Sequence, residues 1–402
     1  MGLLTASRLR TIAILAGGAV AFWISIGVTL NFTIARRAPG IGASWWPVGT
    51  IAKVVEAQQK LTSLNTISNQ EIDRLRTVLR SAALREPVNT EALSTLAAFD
   101  EYRGDIKRAR LLFNAAETVS RRNTFAELWL IEDAVRRGDV SAAIRHHNRA
   151  MLVSNEIRET LIPLLVSASD DPAVRHELMP LLARRPLWWR EYMTQMGTVG
   201  KNAAAMMDAI RATRLDVRKP EDAALAQIIL RRMVALQDAG TAILAANRLE
   251  GLTGSTRSLR DGSFETPVSV LPFAWWLRDE NSIRAYRDTV PNGSTGLRVF
   301  TSSGAGGGVA QQLIGLSPGR YVLSGQAGDV PADRTARPAI DIGCNTGTAL
   351  THAELPMANG DGREFRFTFD VPATGCPLQW VTIVTAPAVD TDIWLDNLSI
   401  RR

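Results

Sequence analysis

The sequence predicts a multidomain chain: a single transmembrane helix, an all-α helical-repeat region, and then an all-β sandwich. Three observations predict this order. Residues 11–35 contain no charged side chain, residues 51–250 have helical periodicity with an internal recurrence, and residues 258–402 break into short alternating segments. The chain has 402 residues, 46% hydrophobic and 21% charged, a composition that favours several folded domains over disorder.

The uncharged segment is long enough to cross a bilayer. A helix over residues 11–35 would reach about 37 Å, against about 30 Å of hydrocarbon. A cleavable signal peptide has a shorter apolar core, so we predict an uncleaved signal anchor. Residues 1–10 would then be a short cytoplasmic tail, and residues 36–50 a juxtamembrane linker.

Arginines flank this segment almost equally on both sides, so charge alone does not orient it. We expect a single-pass protein of the bacterial inner membrane with most of the chain in the periplasm, on the indirect ground of its C-terminal domain and cysteines. Ala13, Gly17, Ala21, Ser25 and Thr29 recur every four residues, a spacing that lets two membrane helices approach closely. This pattern favours a homo-oligomer through the helix; the alternative is ordinary apolar composition.

The helical region, residues 51–250, contains a recurrence. Gly104-Asp105 returns as Gly138-Asp139, 34 residues later, and Ala109 returns as Ala143 at the same offset. The positions that carry the pattern are Leu93, Leu96, Ala97, Gly104, Ala109, Phe113 and Ala116. They resemble a tetratricopeptide repeat, although His147 stands where Phe113 stood. The resemblance implies a helical stack that binds protein partners; the alternative is a plain helical spacer.

Residues 251–257 form a linker rich in Gly, Ser and Thr, after which the periodicity changes. Residues 258–402 consist of short alternating segments separated by turn residues, a pattern that predicts a β-sandwich or jelly roll. Gly262-Ser263-Phe264-Glu265 opens this domain, and the segment 392–400 closes it. Together with the segment 316–321, these motifs resemble the galactose-binding-like jelly roll of bacterial carbohydrate-binding modules.

The resemblance implies two kinds of site. First, the opening and closing strands of such modules often share a structural calcium ion, and Glu265 and Asp396 occupy the matching positions. Otherwise, Asp396 would cap backbone groups where the termini meet. No other cofactor is expected.

Second, aromatic rings of such modules stack on pyranose sugars, which makes Trp275, Trp276, Tyr286 and Trp380 the candidate glycan-binding residues. Trp275 and Trp276 are adjacent, so on a regular strand at most one packs inward. The other would form a platform with Tyr286 or Trp380. The alternative is edge packing or a protein contact.

The two cysteines, Cys344 and Cys376, are too few for a zinc site or a disulfide scaffold. They would form one disulfide in an oxidising compartment. The alternative is two separately buried thiols.

The motifs exclude several function classes. The chain has no zinc-protease helix motif, no Gly-x-Ser-x-Gly elbow and no phosphate loop. No basic run is interleaved with aromatics as in nucleic-acid modules, so no nucleic-acid partner is expected. We therefore predict a non-catalytic, membrane-anchored binding and assembly protein, with a protein partner on the helices and a polysaccharide on the jelly roll, in surface polysaccharide export or assembly. The alternatives are an envelope scaffold that binds only protein and a divergent glycanase.

Overall fold

A computed structural model describes residues 6–33, 36–41, 49–252, 258–266, 270–291 and 293–402. Four predicted segments lie partly or wholly outside the described residues: the tail (1–5), the span (34–35), the juxtamembrane linker (42–48) and the interdomain linker (253–257). The chain divides into two compact units, residues 1–161 and 162–402. The second unit contains both the last helices and all of the strands.

The helices occupy the first part of the chain, as predicted. In order they are α1 (Ala6–Thr33), α2 (Ile51–Leu61), α3 (Asn69–Arg85), α4 (Thr90–Tyr102), α5 (Ile106–Val119), α6 (Thr124–Arg136), α7 (Val140–Val153), α8 (Asn155–Ala168), α9 (Pro172–Leu182), α10 (Trp189–Val199), α11 (Ala203–Thr213), α12 (Pro220–Ala235) and α13 (Ala239–Leu249).

Helix α1 covers most of the predicted membrane span. Among the residues that the structure describes, however, no helix combines the length and the apolar character needed to cross a membrane. The prediction of a transmembrane anchor over residues 11–35 is therefore not supported. The contact with a bilayer and the homo-oligomer were predicted from this anchor, so they are not supported either.

The 34-residue recurrence corresponds to equivalent turns between helices. Gly104 and Gly138 both have positive φ angles, 85° and 69°, which side chains with a Cβ rarely adopt. Asp105 and Asp139 then cap the following helices, because each carboxylate accepts a hydrogen bond from a backbone N–H three residues later. The helix pairs α4–α5 and α6–α7 are therefore built alike. Their membership of the tetratricopeptide family stays a prediction.

His147 interrupts this likeness. At the matching position in the first pair, Phe113 is fully buried and stacks on Trp129 with 4.4 Å between ring centroids. His147 Nδ1 is buried and has no hydrogen-bond partner among the described residues. Burial, with a smaller contribution from the neighbouring His146, lowers the pKa of His147 from 6.5 to about 4.

This lowered pKa predicts a loss of stability in acid. The unfolded chain protonates the imidazole near pH 6.5, whereas the folded chain does so only near pH 4, so the unfolded state gains protons first as the pH falls. We expect His147→Phe to reduce the loss of unfolding free energy between pH 6.5 and pH 4, measured by urea denaturation. The exposed His176, changed to Phe, controls for removal of a histidine. Equal pH dependence in wild type and His147→Phe would contradict this assignment.

The strands form two antiparallel sheets that pack as a jelly-roll sandwich. In order they are β1 (Trp276–Leu277), β2 (Asp279–Glu280), β3 (Ile283–Thr289), β4 (Thr295–Thr301), β5 (Gly307–Ile314), β6 (Gly319–Gly328), β7 (Ala339–Cys344), β8 (Ala349–Glu354), β9 (Arg363–Val371), β10 (Gln379–Thr385) and β11 (Thr391–Arg401). The five-stranded sheet has the order β1-β5-β10-β7-β8, and the six-stranded sheet has the order β2-β3-β4-β11-β6-β9.

Alternating side chains divide each strand between the core and the surface. In β10, Val381 and Ile383 are fully buried, whereas Trp380 and Thr382 are only partly buried on the opposite side. The core lies between the two sheets and takes residues from both of them. One face of the five-stranded sheet is therefore directed away from this core.

A buried ion pair joins the last helix to the sandwich. The Arg260 guanidinium lies 2.8 Å from the Glu250 carboxylate and also bonds to Asn247, and the two charged side chains are only 7% and 9% exposed. Arg260 also exchanges two hydrogen bonds with the Gln312 side chain on β5, through its backbone N–H and carbonyl. Burial raises the pKa of Glu250, while Arg260 opposes that shift. Helix α13 and the five-stranded sheet therefore share one buried polar network.

Removing one partner of this network should destabilise the second unit strongly. Arg260→Ala leaves the Glu250 carboxylate buried without its counter-ion, and we expect a loss of about 3–5 kcal/mol. The matched control is Arg320→Ala, which removes an exposed pair with Asp370 and should cost far less. The loss of unfolding free energy in each variant is measured from the denaturant dependence of amide hydrogen exchange in β10. Equal losses in the two variants would contradict the role of the buried pair.

Candidate functional site

The outward side of the five-stranded sheet, called here the open face, aligns one residue from every strand. Trp276 lies opposite Gln311, Gln311 opposite Thr382, Thr382 opposite Asp341, and Asp341 opposite His352. Residues directly opposite on antiparallel strands point to the same side of the sheet. All five are at least partly exposed. The open face therefore carries a row with an indole at one end and polar groups along the rest.

Trp380 lies beside this row on the central strand, β10. Its strand partners are Leu313 and Gly343. The indole Nε1 donates a hydrogen bond of 3.0 Å to the Asn345 side chain, which fixes the orientation of the ring. Because Gly343 has no side chain, space remains next to the indole.

Two hollows flank Trp380. The outer hollow, about 510 Å³, lies over β7 and β8 and is lined by Asp341, Gly343 and His352, among others. The helix-side hollow, about 430 Å³, lies between the sheet and helix α12 and is lined by Arg231, Val234, Leu271, Pro272, Trp276 and Gln311. Trp380 lines both hollows, so the two hollows adjoin at this residue.

Asp341 and His352 form the polar end of this surface. Asp341 Oδ1 and His352 Nδ1 are 2.6 Å apart, and their side chains are 44% and 62% exposed, respectively. Glu354, the carboxylate on β8, forms an ion pair with Arg334 at 3.2 Å. Asp341 and Glu354 therefore each have a partner. The exposed Asp341–His352 pair offers both a hydrogen-bond donor and acceptors to a hydroxyl-rich ligand.

Of the four predicted aromatic contacts, the structure brings two together. Trp276 and Trp380 both lie on the open face and both line the helix-side hollow. Trp275, the residue before β1, faces the opposite way and belongs to the core between the sheets. Trp275 is only 6% exposed, and its ring centroid lies 5.3 Å from that of Phe264. Its indole N–H donates a hydrogen bond to the Asp261 carbonyl. Trp275 is therefore not a candidate glycan contact.

Tyr286 is also removed from this platform. It lies on β3 of the six-stranded sheet, where it is 38% exposed and faces Arg298 across the strand pair. The Arg284 guanidinium lies 5.7 Å from the centre of its ring. Because Tyr286 is on the outside of the other sheet, it cannot share a ligand with Trp276 and Trp380.

The predicted calcium ligands have different surroundings. Asp396 is fully buried; its Oδ2 accepts hydrogen bonds from Ser294 Oγ and Asn397 Nδ2, and its Oδ1 accepts one from the Asn397 backbone N–H. Glu265 is exposed. No group of three or more metal-ligating side chains occurs within the described ranges. The bond to the Asn397 N–H is local, one residue along the chain, and both the calcium ion and the capping of backbone groups where the termini meet stay predictions.

A disulfide closes the loop beside Trp380. Cys344, the last residue of β7, is bonded to Cys376, which precedes β10. Between them, the Asn345 N–H donates to the Leu378 carbonyl, and Thr346 Oγ1 donates to the Gly375 carbonyl. The disulfide and these bonds hold Asn345, and through it the indole of Trp380.

Sequence reasoning missed Gln311, Thr382, His352 and Arg231 as parts of the site. The alternation within β10 could have placed Thr382 beside Trp380. Gln311 and His352 lie on strands and Arg231 lies on a helix, all distant in sequence. Only the register of the strands and the packing of α12 bring them together.

Comparison with protein-family models finds no match, and comparison with curated protein sequences finds none either. Solved structures similar to the β region include carbohydrate-binding modules. A structure described as "CBM4 structure and function" is 19% identical, covers 36% of this chain and 100% of that chain, and has a TM-score of 0.26. The CBM22-1 xylan-binding domain of Paenibacillus barcinonensis Xyn10C is 14% identical, with coverage of 36% and 93% and a TM-score of 0.27.

The enzymatically active domain of bacteriophage CBA120 tailspike protein 4 is 15% identical and has a TM-score of 0.27. The match covers 37% of this chain but only 22% of the tailspike domain. Scores this low carry no argument about function.

Proposed function

We propose that this chain is a non-catalytic binding protein whose open face binds a glycan. The observation that carries the proposal is the row Trp276–Gln311–Thr382–Asp341–His352, with Trp380 beside it. A sugar ring has apolar C–H faces that pack on indoles and hydroxyls that need donors and acceptors. The row supplies both kinds of group on one accessible surface.

The dimensions favour an oligosaccharide over a single sugar. Neighbouring strands are about 4.8 Å apart, so a row across five strands extends roughly 19 Å. The outer hollow contains Asp341 and His352 of this row, and the helix-side hollow contains Trp276 and Gln311. The fixed indole of Trp380 would then take one sugar in the middle of the bound segment, with Trp276 taking another at the helix end.

The remaining parts of the proposal concern the partners and the setting. The helical first unit would bind a protein partner, and the pair of functions would serve the assembly or export of a surface polysaccharide. The disulfide supports an oxidising compartment, because disulfides are rare in the cytosol.

Glycan binding should depend on the two exposed indoles of the open face. We expect Trp276→Ala and Trp380→Ala each to weaken binding about tenfold or more, since each removes a stacking surface. The matched control is Tyr286→Ala, because Tyr286 has the same 38% exposure as Trp276 but lies on the other sheet. Calorimetry of the full chain against a panel of polysaccharides makes the measurement.

Two outcomes would contradict the proposal. One is the absence of binding across a broad panel by a folded protein, which would favour an envelope scaffold that binds only protein. The other is binding that Tyr286→Ala weakens while Trp276→Ala and Trp380→Ala leave it unchanged.

A further inference from the structure

The helix-side hollow contains one charged side chain among its lining residues. Arg231 of helix α12 faces a surface otherwise made of the aromatic, aliphatic and amide groups of Val234, Leu271, Pro272, Trp276, Gln311 and Trp380. Arg231 is exposed, and within the described ranges it forms no ion pair. One arginine without an ion pair among the described residues and two tryptophans therefore line the same hollow.

The helix that carries Arg231 is firmly held. The neighbouring Arg232 donates from Nε to the Gly200 carbonyl at 2.7 Å, and Leu230 and Met233 are fully buried. A Cβ on Gly197 of α10 would lie 2.6 Å from Ile228 of α12, so these two helices are in close contact. Val234, three residues after Arg231, lines the same hollow, as expected for residues on one helix face. The position of Arg231 over the sheet is thus part of the packed unit.

The two ends of the open face differ in charge. The helix-side hollow has Arg231 and no carboxylate, whereas the outer hollow has Asp341 and no arginine or lysine. An anionic group would be attracted to the first hollow and repelled from the second. The charge difference would fix the direction in which an acidic oligosaccharide lies across the sheet.

We infer that the helix-side hollow is a subsite for an acidic sugar, in which Arg231 binds the anionic group and Trp276 and Trp380 contact the sugar ring. This inference rests on the proposed function. The planar guanidinium matches a carboxylate with two parallel hydrogen bonds. A sulfate shares this chemistry, so the test includes both anions. The helical part of the unit thereby contributes directly to ligand selection.

The test compares glycans that differ only in charge. The probes are a polygalacturonate, the same polymer after chemical reduction of its carboxyl groups, and a sulfated galactan with its desulfated form, each titrated into the full chain by calorimetry. We expect the acidic form to bind about tenfold more tightly than its neutral counterpart, the effect of one charge-assisted contact. Arg231→Gln should abolish that preference and leave binding of the neutral form unchanged. The matched control is Arg248→Gln, which removes an exposed arginine of α13 that does not line the hollow.

The outcomes separate the inference from the proposed function. If neutral and acidic forms bind equally and Trp276→Ala weakens both, the open face binds glycan but the acidic subsite is wrong. If Arg231→Gln and Arg248→Gln reduce the preference equally, the effect is one of net charge, and the subsite is again wrong. If neither acidic polymer binds while another glycan of the panel does, the acidic subsite is wrong and the proposed function stands. If nothing in the whole panel binds to the folded protein, both proposals are overturned. A preference for only one of the two anions identifies the acidic group.

Discussion

The buried contact between Arg260 and Glu250 fixes the last helix, α13, against the sandwich within the second unit. Arg260 bonds through its guanidinium to the end of α13 and through its backbone to Gln312 on β5. Because breaking such a contact leaves a charge buried and unpaired, the arrangement of α13 on the sheet is strongly specified. A Cβ on Gly315 would lie 2.2 Å from Ile243, so α13 also approaches the end of β5 closely.

The position of α13 also shapes the surface that we propose for glycan. Helix α12 packs on α13 and forms a wall of the helix-side hollow, so the surface that we propose for glycan is completed by a helix. A fragment that begins at residue 258 would lose that wall and would leave Arg260 without its partner Glu250. Experiments on ligand binding therefore need the helices of the second unit.

Much of the fold could be predicted from the sequence because its signals are local. The recurrence of Gly104-Asp105 as Gly138-Asp139 marks two equivalent turns, and alternation separates Trp275 from Trp276 across a strand. Tyr286 was misplaced because sequence distance does not tell which of two sheets a strand joins. The membrane anchor was expected from the uncharged run over residues 11–35, but the described helices do not support it.

The site was harder to predict than the fold. The row on the open face depends on the register of five strands whose order, β1-β5-β10-β7-β8, is not their order in the chain. Only Trp276 and Trp380 could be named in advance, from residue type alone. Arg231 and Val234 line the hollow from a helix rather than from the sheet, and their place depends on packing through α13 rather than on any motif.

The most direct test of the central claim is hydroxyl-radical footprinting of the full chain with and without the tightest-binding glycan of the panel. If the open face is the binding surface, the ligand protects Trp276 and Trp380 from oxidation and leaves Tyr286, on the other sheet, at its unliganded rate. Protection of Tyr286 with no change at Trp276 and Trp380 would place the ligand on the six-stranded sheet and contradict the account.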